Sequence, residues 1–95
     1  MKINAKILLM TDFSEVAGYA LFYTKQLASK LKAKVEVMHI LSTPVDWVRL
    51  DKDKEKFYPE TLNAIANAKS SLSSIVNDLE SQGINAYSSL IYSFG

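Results

Sequence analysis

Asp12 is the first residue of this chain whose type and setting could do chemistry. It follows the apolar run Lys6-Ile7-Leu8-Leu9-Met10-Thr11 and precedes Phe13-Ser14-Glu15, the pattern of a strand that ends where a helix begins. The carboxyl end of a strand is where α/β proteins place ligands, and a carboxylate there accepts hydrogen bonds from hydroxyl donors such as those of a ribose. The same residues suit a local task. Asp12 or Ser14 can accept from the unpaired N–H groups of the first helical turn, with Glu15 completing a weak capping pattern. The two roles are compatible. His39 is the only histidine, so a His-based triad or a multi-His metal site within one chain is excluded, a single general base stays open, and a structural role suits it best. The absence of cysteine removes disulfides, thiolate zinc sites and cysteine nucleophiles, and fits a reducing compartment such as the cytosol. The glycines at 18, 83 and 95 stand singly, so no glycine-rich turn gathers N–H groups around a triphosphate. A nucleotide hydrolase built on Asp12 is therefore the weakest reading, with neither a phosphate loop nor a Mg²⁺-site pair beside it.

The elements that must hold these residues follow from periodicity. Lys6–Thr11 is apolar without alternation, as a strand covered on both faces requires. From about Ser14 to Lys32 apolar residues fall at Ala17, Ala20, Leu21, Leu27, Ala28 and Leu31, one helical stripe expected to be core. Gly18 lies inside it, and close packing at that turn is the expected reason. Lys34–Leu41, with Val35, Val37 and Ile40, reads as a second strand. Residues 42–58 form a long connection with one expected helical turn at Val45–Leu50. Its mixed-sign run Asp51–Lys56 reads as a solvated face, and its Trp47, Phe57 and Tyr58 pack the loop, fold over a base or meet a partner. A second helix runs from Pro59, with Leu62, Ile65, Leu72, Ile75, Val76 and Leu79 on its buried side and Gly83 at its C′ position. Ile84–Ser93, more polar, reads as a third strand near a sheet edge, with Tyr87 and Tyr92 on opposite faces.

Ninety-five residues hold one small domain. The net charge of +1 offers no field for nucleic acid or anionic lipid, and no apolar run approaches the length of a membrane span or a secretory signal. Right-handed crossovers in a β-α-β-α-β chain of sheet order 3-2-1 put both helices on one face. The other face then shows either Leu8, Met10, Met38 and Ile40 or Ile7, Leu9, Val35 and Val37, both apolar sets. About 400 Å² of bare apolar surface forgoes ~10 kcal/mol of burial, comparable to the whole stability of a small domain. The first strand, moreover, is an unpaired edge. Self-association through the open face or this edge strand is expected, and a central first strand with one helix on each face is the alternative that periodicity leaves open.

The turn Thr11-Asp12-Phe13-Ser14 after the first strand, the helix through Ala20-Leu21, and Val35-Glu36-Val37-Met38 ending in His39-Ile40 resemble the universal stress protein family, in register across the chain. That resemblance implies a Rossmann-like parallel sheet of order 3-2-1-4-5, of which residues 1–95 carry the first three strands as a single incomplete domain, with Gly95 near the close of the third. It implies a non-enzymatic, cytoplasmic stress-response module acting as a dimer, and adenine nucleotide (ATP) contacts at Thr11, at Asp12 through the ribose and at Ile40 beside the base. The family's ATP-binding pattern of two close glycines and a third before a small hydroxyl residue is absent, so tight ATP binding by this chain alone is not expected and no cofactor is required. Two readings stay open: a fragment of a longer protein, or a half-domain completed by another copy. A structural interaction module with no small-molecule ligand is the competing function.

Overall fold

The computed structural model describes residues 5–94; the amino-terminal residues 1–4 and Gly95, the glycine expected to close the third strand, lie outside the described residues. The elements run β1 (Lys6–Met10), α1 (Glu15–Leu31), β2 (Lys34–Thr43), a 3₁₀ helix η1 (Lys52–Phe57), α2 (Pro59–Ser81) and β3 (Ala86–Phe94). The strands form one parallel sheet in the order β1-β2-β3, so β2 is central and β1 and β3 are both edges.

Register settles which apolar set is bare. Leu9, Val35, Val37 and Ala86 face the helices and join Ala28 of α1 and Leu72 and Leu79 of α2 in one core. Both helices thus lie on the same face. Leu8, Met10 and Ile40 are exposed on the other, where Met10 is paired with Met38 and Ile40 with Ile91. That face is not purely apolar, because Glu36 sits at its centre. Its carboxylate takes the Lys6 ammonium at 2.8 Å, the Ser89 hydroxyl at 2.6 Å and the Tyr87 hydroxyl at 3.2 Å. Alternation along β2 puts residue 36 on the same side as Met38 and Ile40, and the charge is tolerated there because each oxygen has a donor.

The helices end by different chemistry. In α2 the N–H of Ile84 bonds the Leu79 carbonyl and that of Gly83 bonds the Glu80 carbonyl, with Gly83 at φ +78°, the paired bonds of a Schellman turn. In α1 the left-handed residue is Lys32, φ +53°, whose N–H caps the Ala28 carbonyl. A non-glycine there carries a steric cost of about 1 kcal/mol.

Three expectations change. The α1 stripe is only half core: Thr24 and Ala28 are buried and Leu21 is packed, whereas Leu27 is 48% and Leu31 50% exposed, with Val16, Tyr19 and Tyr23 more exposed still. The cause is that α1 packs on β1 while α2 covers β2 and β3, and among the described residues no strand lies beyond β1 for the outer flank of α1 to rest on. Gly18 answers to no close neighbour, since a Cβ there would meet open space. The long connection makes one turn at Trp47–Arg49 as expected, through i→i+3 bonds from Arg49 to Asp46 and Leu50 to Trp47, but its regular helix is η1, inside the charge run. Trp47 is buried and meets Tyr58 edge-on at 6.2 Å, so these two pack the loop, while Phe57 stays exposed.

Candidate functional site

The β1–α1 turn carries the residues singled out above, and a chain of short bonds fixes it. The Thr11 N–H extends the ladder to the Met38 carbonyl at 2.9 Å, and the Thr11 hydroxyl accepts the Phe13 N–H at 3.0 Å. Asp12 Oδ1 accepts the Ser14 N–H at 2.9 Å, and Ser14 Oγ accepts the Ala17 N–H at 3.2 Å, which makes Ser14 the helix cap. Asp12 thus forms an Asx turn just outside the helix and Ser14 performs the capping, a division of labour between the two candidates. Hydrogen bonding from Ser14, hydroxyl first and then backbone N–H, holds the exposed Asp12 carboxyl below its ordinary value, so it is ionised at neutral pH.

Phe13 is the residue the sequence did not single out. It sits at φ +64°, a left-handed conformation that costs a side-chain-bearing residue roughly 1–2 kcal/mol. Its ring lies on the His39 ring with centroids 4.4 Å apart. His39 in turn places Nδ1 2.7 Å from the Thr11 carbonyl oxygen. A carbonyl only accepts, so Nδ1 carries the proton and Nε2 is the acceptor of the neutral ring. His39 clamps the turn from β2, and Phe13 is the lid of that clamp.

Thr11, Asp12 and Ile40 come together on one open groove of about 650 Å³ at the carboxyl ends of β1 and β2. Met10 and Ile40 supply an apolar floor, Val16, Ala17 and Ala20 of α1 a flank, and Asp12 and His39 the polar rim. The Asp12 carboxylate is exposed, so it can also accept from a ligand hydroxyl. Thr11 is buried with its backbone groups and hydroxyl oxygen engaged, and it shapes the groove more than it lines it. A larger cleft of about 740 Å³ lies at the opposite end of the sheet, lined in part by Lys6, Lys32 and Lys34, away from all these residues. Among the described residues no three His, Cys, Asp or Glu side chains gather into a metal-holding group, and no helix is long and apolar enough to cross a membrane.

No protein-family model and no curated protein matches this chain. Solved structures do. It is similar to a protein of the universal stress protein family from Burkholderia pseudomallei, with TM-score 0.70 and 18% identity over 94% of this chain and 63% of that one. It is likewise similar to the universal stress protein UspA from Lactobacillus plantarum, with TM-score 0.71 and 17% identity over 95% of this chain and 61% of the other. The universal stress protein from Archaeoglobus fulgidus, solved in complex with dAMP, matches with TM-score 0.60 and 21% identity over 98% of this chain and 64% of its own. The fold is therefore the α/β fold of universal stress protein structures, and the chain spans less than two thirds of the length of each of these three structures.

Proposed function

We propose that this chain is a non-enzymatic module of universal stress type that takes an adenine nucleotide by its nucleoside end and works as an assembly of copies. The observation that carries the reading is the meeting of Asp12 and Ile40 on one groove at the carboxyl end of the sheet, with an ionised, outward-facing carboxylate beside an apolar floor. A flat base would lie against Ile40 and Met10, and a sugar hydroxyl would donate to Asp12. The Archaeoglobus fulgidus protein was solved in complex with dAMP, which supports this reading. His39 spends its Nδ1–H on a backbone carbonyl, and no side-chain hydroxyl of the described residues bonds its ring, which favours binding over acyl or phosphoryl transfer.

The single glycines leave the phosphates without a cradle. Adenosine, AMP and ATP should therefore bind within about tenfold of one another, a difference under ~1.4 kcal/mol. Calorimetric titration of all three decides this: a strong preference for ATP would demonstrate a phosphate site that the groove does not contain, and absence of saturation with any of them would remove nucleotide binding. Asp12→Asn should weaken adenosine by roughly 10- to 100-fold, as expected for loss of a charge-assisted hydrogen bond. The competing reading, an interaction module without a ligand, is favoured by the bare sheet face, and failure of all three titrations would select it.

A further inference from the structure

Three aromatic side chains stand exposed within five residues of α1: Tyr19, Phe22 and Tyr23. They border a hollow of about 580 Å³ whose other walls are Glu15 and Gly18. None of these five residues lines the groove beside Asp12 and Ile40. We propose that the hollow is a docking site for an arginine side chain presented by a partner protein, with Glu15 as the anion that holds the guanidinium.

Helical geometry places the hollow. Leu21, Thr24 and Ala28 mark the side of α1 that packs on the sheet, and Lys25, paired with Asp78, marks the side toward α2. With about 3.6 residues per turn, Glu15, Tyr19 and Phe22 fall on the half of the helix turned away from the sheet, while Leu27 and Leu31 border the sheet side on the flank away from α2. Strands added beyond β1 would meet Leu27 and Leu31. They would leave the hollow open, so its exposure does not depend on how far the sheet extends.

The chemistry of the walls selects the occupant. Phe22 and Tyr23 meet edge-on, with ring centroids 5.7 Å apart and planes at 76°, so two aromatic faces stand nearly at right angles. Such a face attracts a cation, and arginine suits it better than lysine because the flat guanidinium stacks on a ring while its fork holds a carboxylate. Gly18 supplies the room, since a Cβ there would meet nothing within 4 Å. Among the described residues no ammonium or guanidinium pairs with Glu15. Any surface that covers Tyr19 and Phe22 also crowds Glu15, and burying an unpaired carboxylate is costly. That disfavours a purely apolar partner and an anionic lipid surface alike. A free small cation would be wrapped on one side only, because a single helix builds the hollow, whereas a partner protein draws the rest of its contact from the same exposed face. The N-terminus of α1 is itself partly positive, so holding a cation there depends on the Glu15 charge.

The test is titration of the isotope-labelled chain with the peptide acetyl-Gly-Arg-Gly-amide, followed by NMR amide shifts. Shifts should centre on residues 15–23 and saturate in the millimolar range. The lysine peptide should bind several-fold more weakly, and the citrulline peptide, which keeps the shape without the charge, should not bind. Glu15→Gln should weaken the arginine peptide by roughly three- to fivefold, the loss expected for an exposed ion pair. Gly18→Leu fills the hollow with a good helix former and should abolish the shifts; circular dichroism verifies that both variants fold. No shifts, equal shifts with the citrulline peptide, shifts confined to other residues, or an unchanged affinity in either variant would overturn the proposal. Tetramethylammonium bound as tightly as the arginine peptide would make this a quaternary ammonium site, and shifts on dilution of the chain alone that vanish in Arg49→Ala would make the occupant a second copy; either result overturns it as well.

Discussion

Two leucines occupy equivalent places in a helical pattern, and the structure separates them. Leu79 is 0% exposed in the core under β2 and β3, whereas Leu27 is 48% exposed on the outer flank of α1. Leu79→Ala deletes three carbon groups from a fully packed site, roughly 2.4 kcal/mol at ~0.8 kcal/mol per group, and the residual cavity raises the loss to about 3–4 kcal/mol. A domain of this size has on the order of 5–14 kcal/mol in total, so a quarter to well over half of the stability would go. Leu27→Ala should cost under about 1 kcal/mol in dilute chain, where its side chain is half in water, and more as concentration rises if α1 becomes covered by a second copy. Urea titration followed by circular dichroism, at dilutions spanning two decades, measures both. Equal losses at the lowest concentration would refute the assignment of the α1 flank as uncovered, and a loss below 1 kcal/mol for Leu79→Ala would refute the core.

Gly18→Ala should stabilise by up to ~1 kcal/mol in thermal melts, because the added methyl meets open space in mid-helix. Lys32→Gly should stabilise by a similar amount by relieving the left-handed conformation at the end of α1. Glu36 has its carboxyl held below the ordinary value of 4.5, the Lys6 hydrogen bond first among the causes and the Ser89 hydroxyl second. Its contribution is therefore present above about that pH and is lost as pH falls through the lower folded value; Glu36→Gln should flatten the acid limb of a stability–pH curve, and an unchanged limb would refute the linkage. His39→Ala removes both the bond to the Thr11 carbonyl and the ring under Phe13. It should destabilise by roughly 1–3 kcal/mol and broaden the amide signals of residues 11–14 in NMR, and a sharp, unshifted turn would show that the clamp is dispensable.

Periodicity carried most of this fold. The run at Lys6, the β-branched Val35 and Val37, and the long stripe from Pro59 to Leu79 each belong to one element because burial on a packed face demands that spacing. Two features escaped it. The stripe on α1 tells which side of the helix is apolar and not whether anything lies beneath it, and β1 is too narrow to cover that side alone. The left-handed conformation of Phe13 and its contact with the His39 ring gave no signal, since His39 lies 26 residues away in the chain. Glu36 was hidden for a related reason: its partners Lys6, Tyr87 and Ser89 lie on the two neighbouring strands, and only the register brings them together. At the candidate site, Thr11 and Asp12 were legible as residues at the end of β1, whereas Ile40, read as a strand-end residue, lies three residues before the end of β2 at Thr43, and the turn that aims Asp12 outward was not legible.

The unequal lengths of the strands have one more consequence. β1 ends at Met10, opposite Met38, but β2 and β3 stay paired as far as Thr43 and Phe94. Past His39 the sheet is a two-stranded tongue, and such ribbons hold poorly in water without support. At its tip the Thr43 hydroxyl donates to the Val45 carbonyl at 2.7 Å and to the Ser93 carbonyl at 3.3 Å. Amide exchange should therefore quicken in a step beyond residue 39, and Thr43→Val should unfasten the tongue from its tip while the three-stranded body keeps its protection.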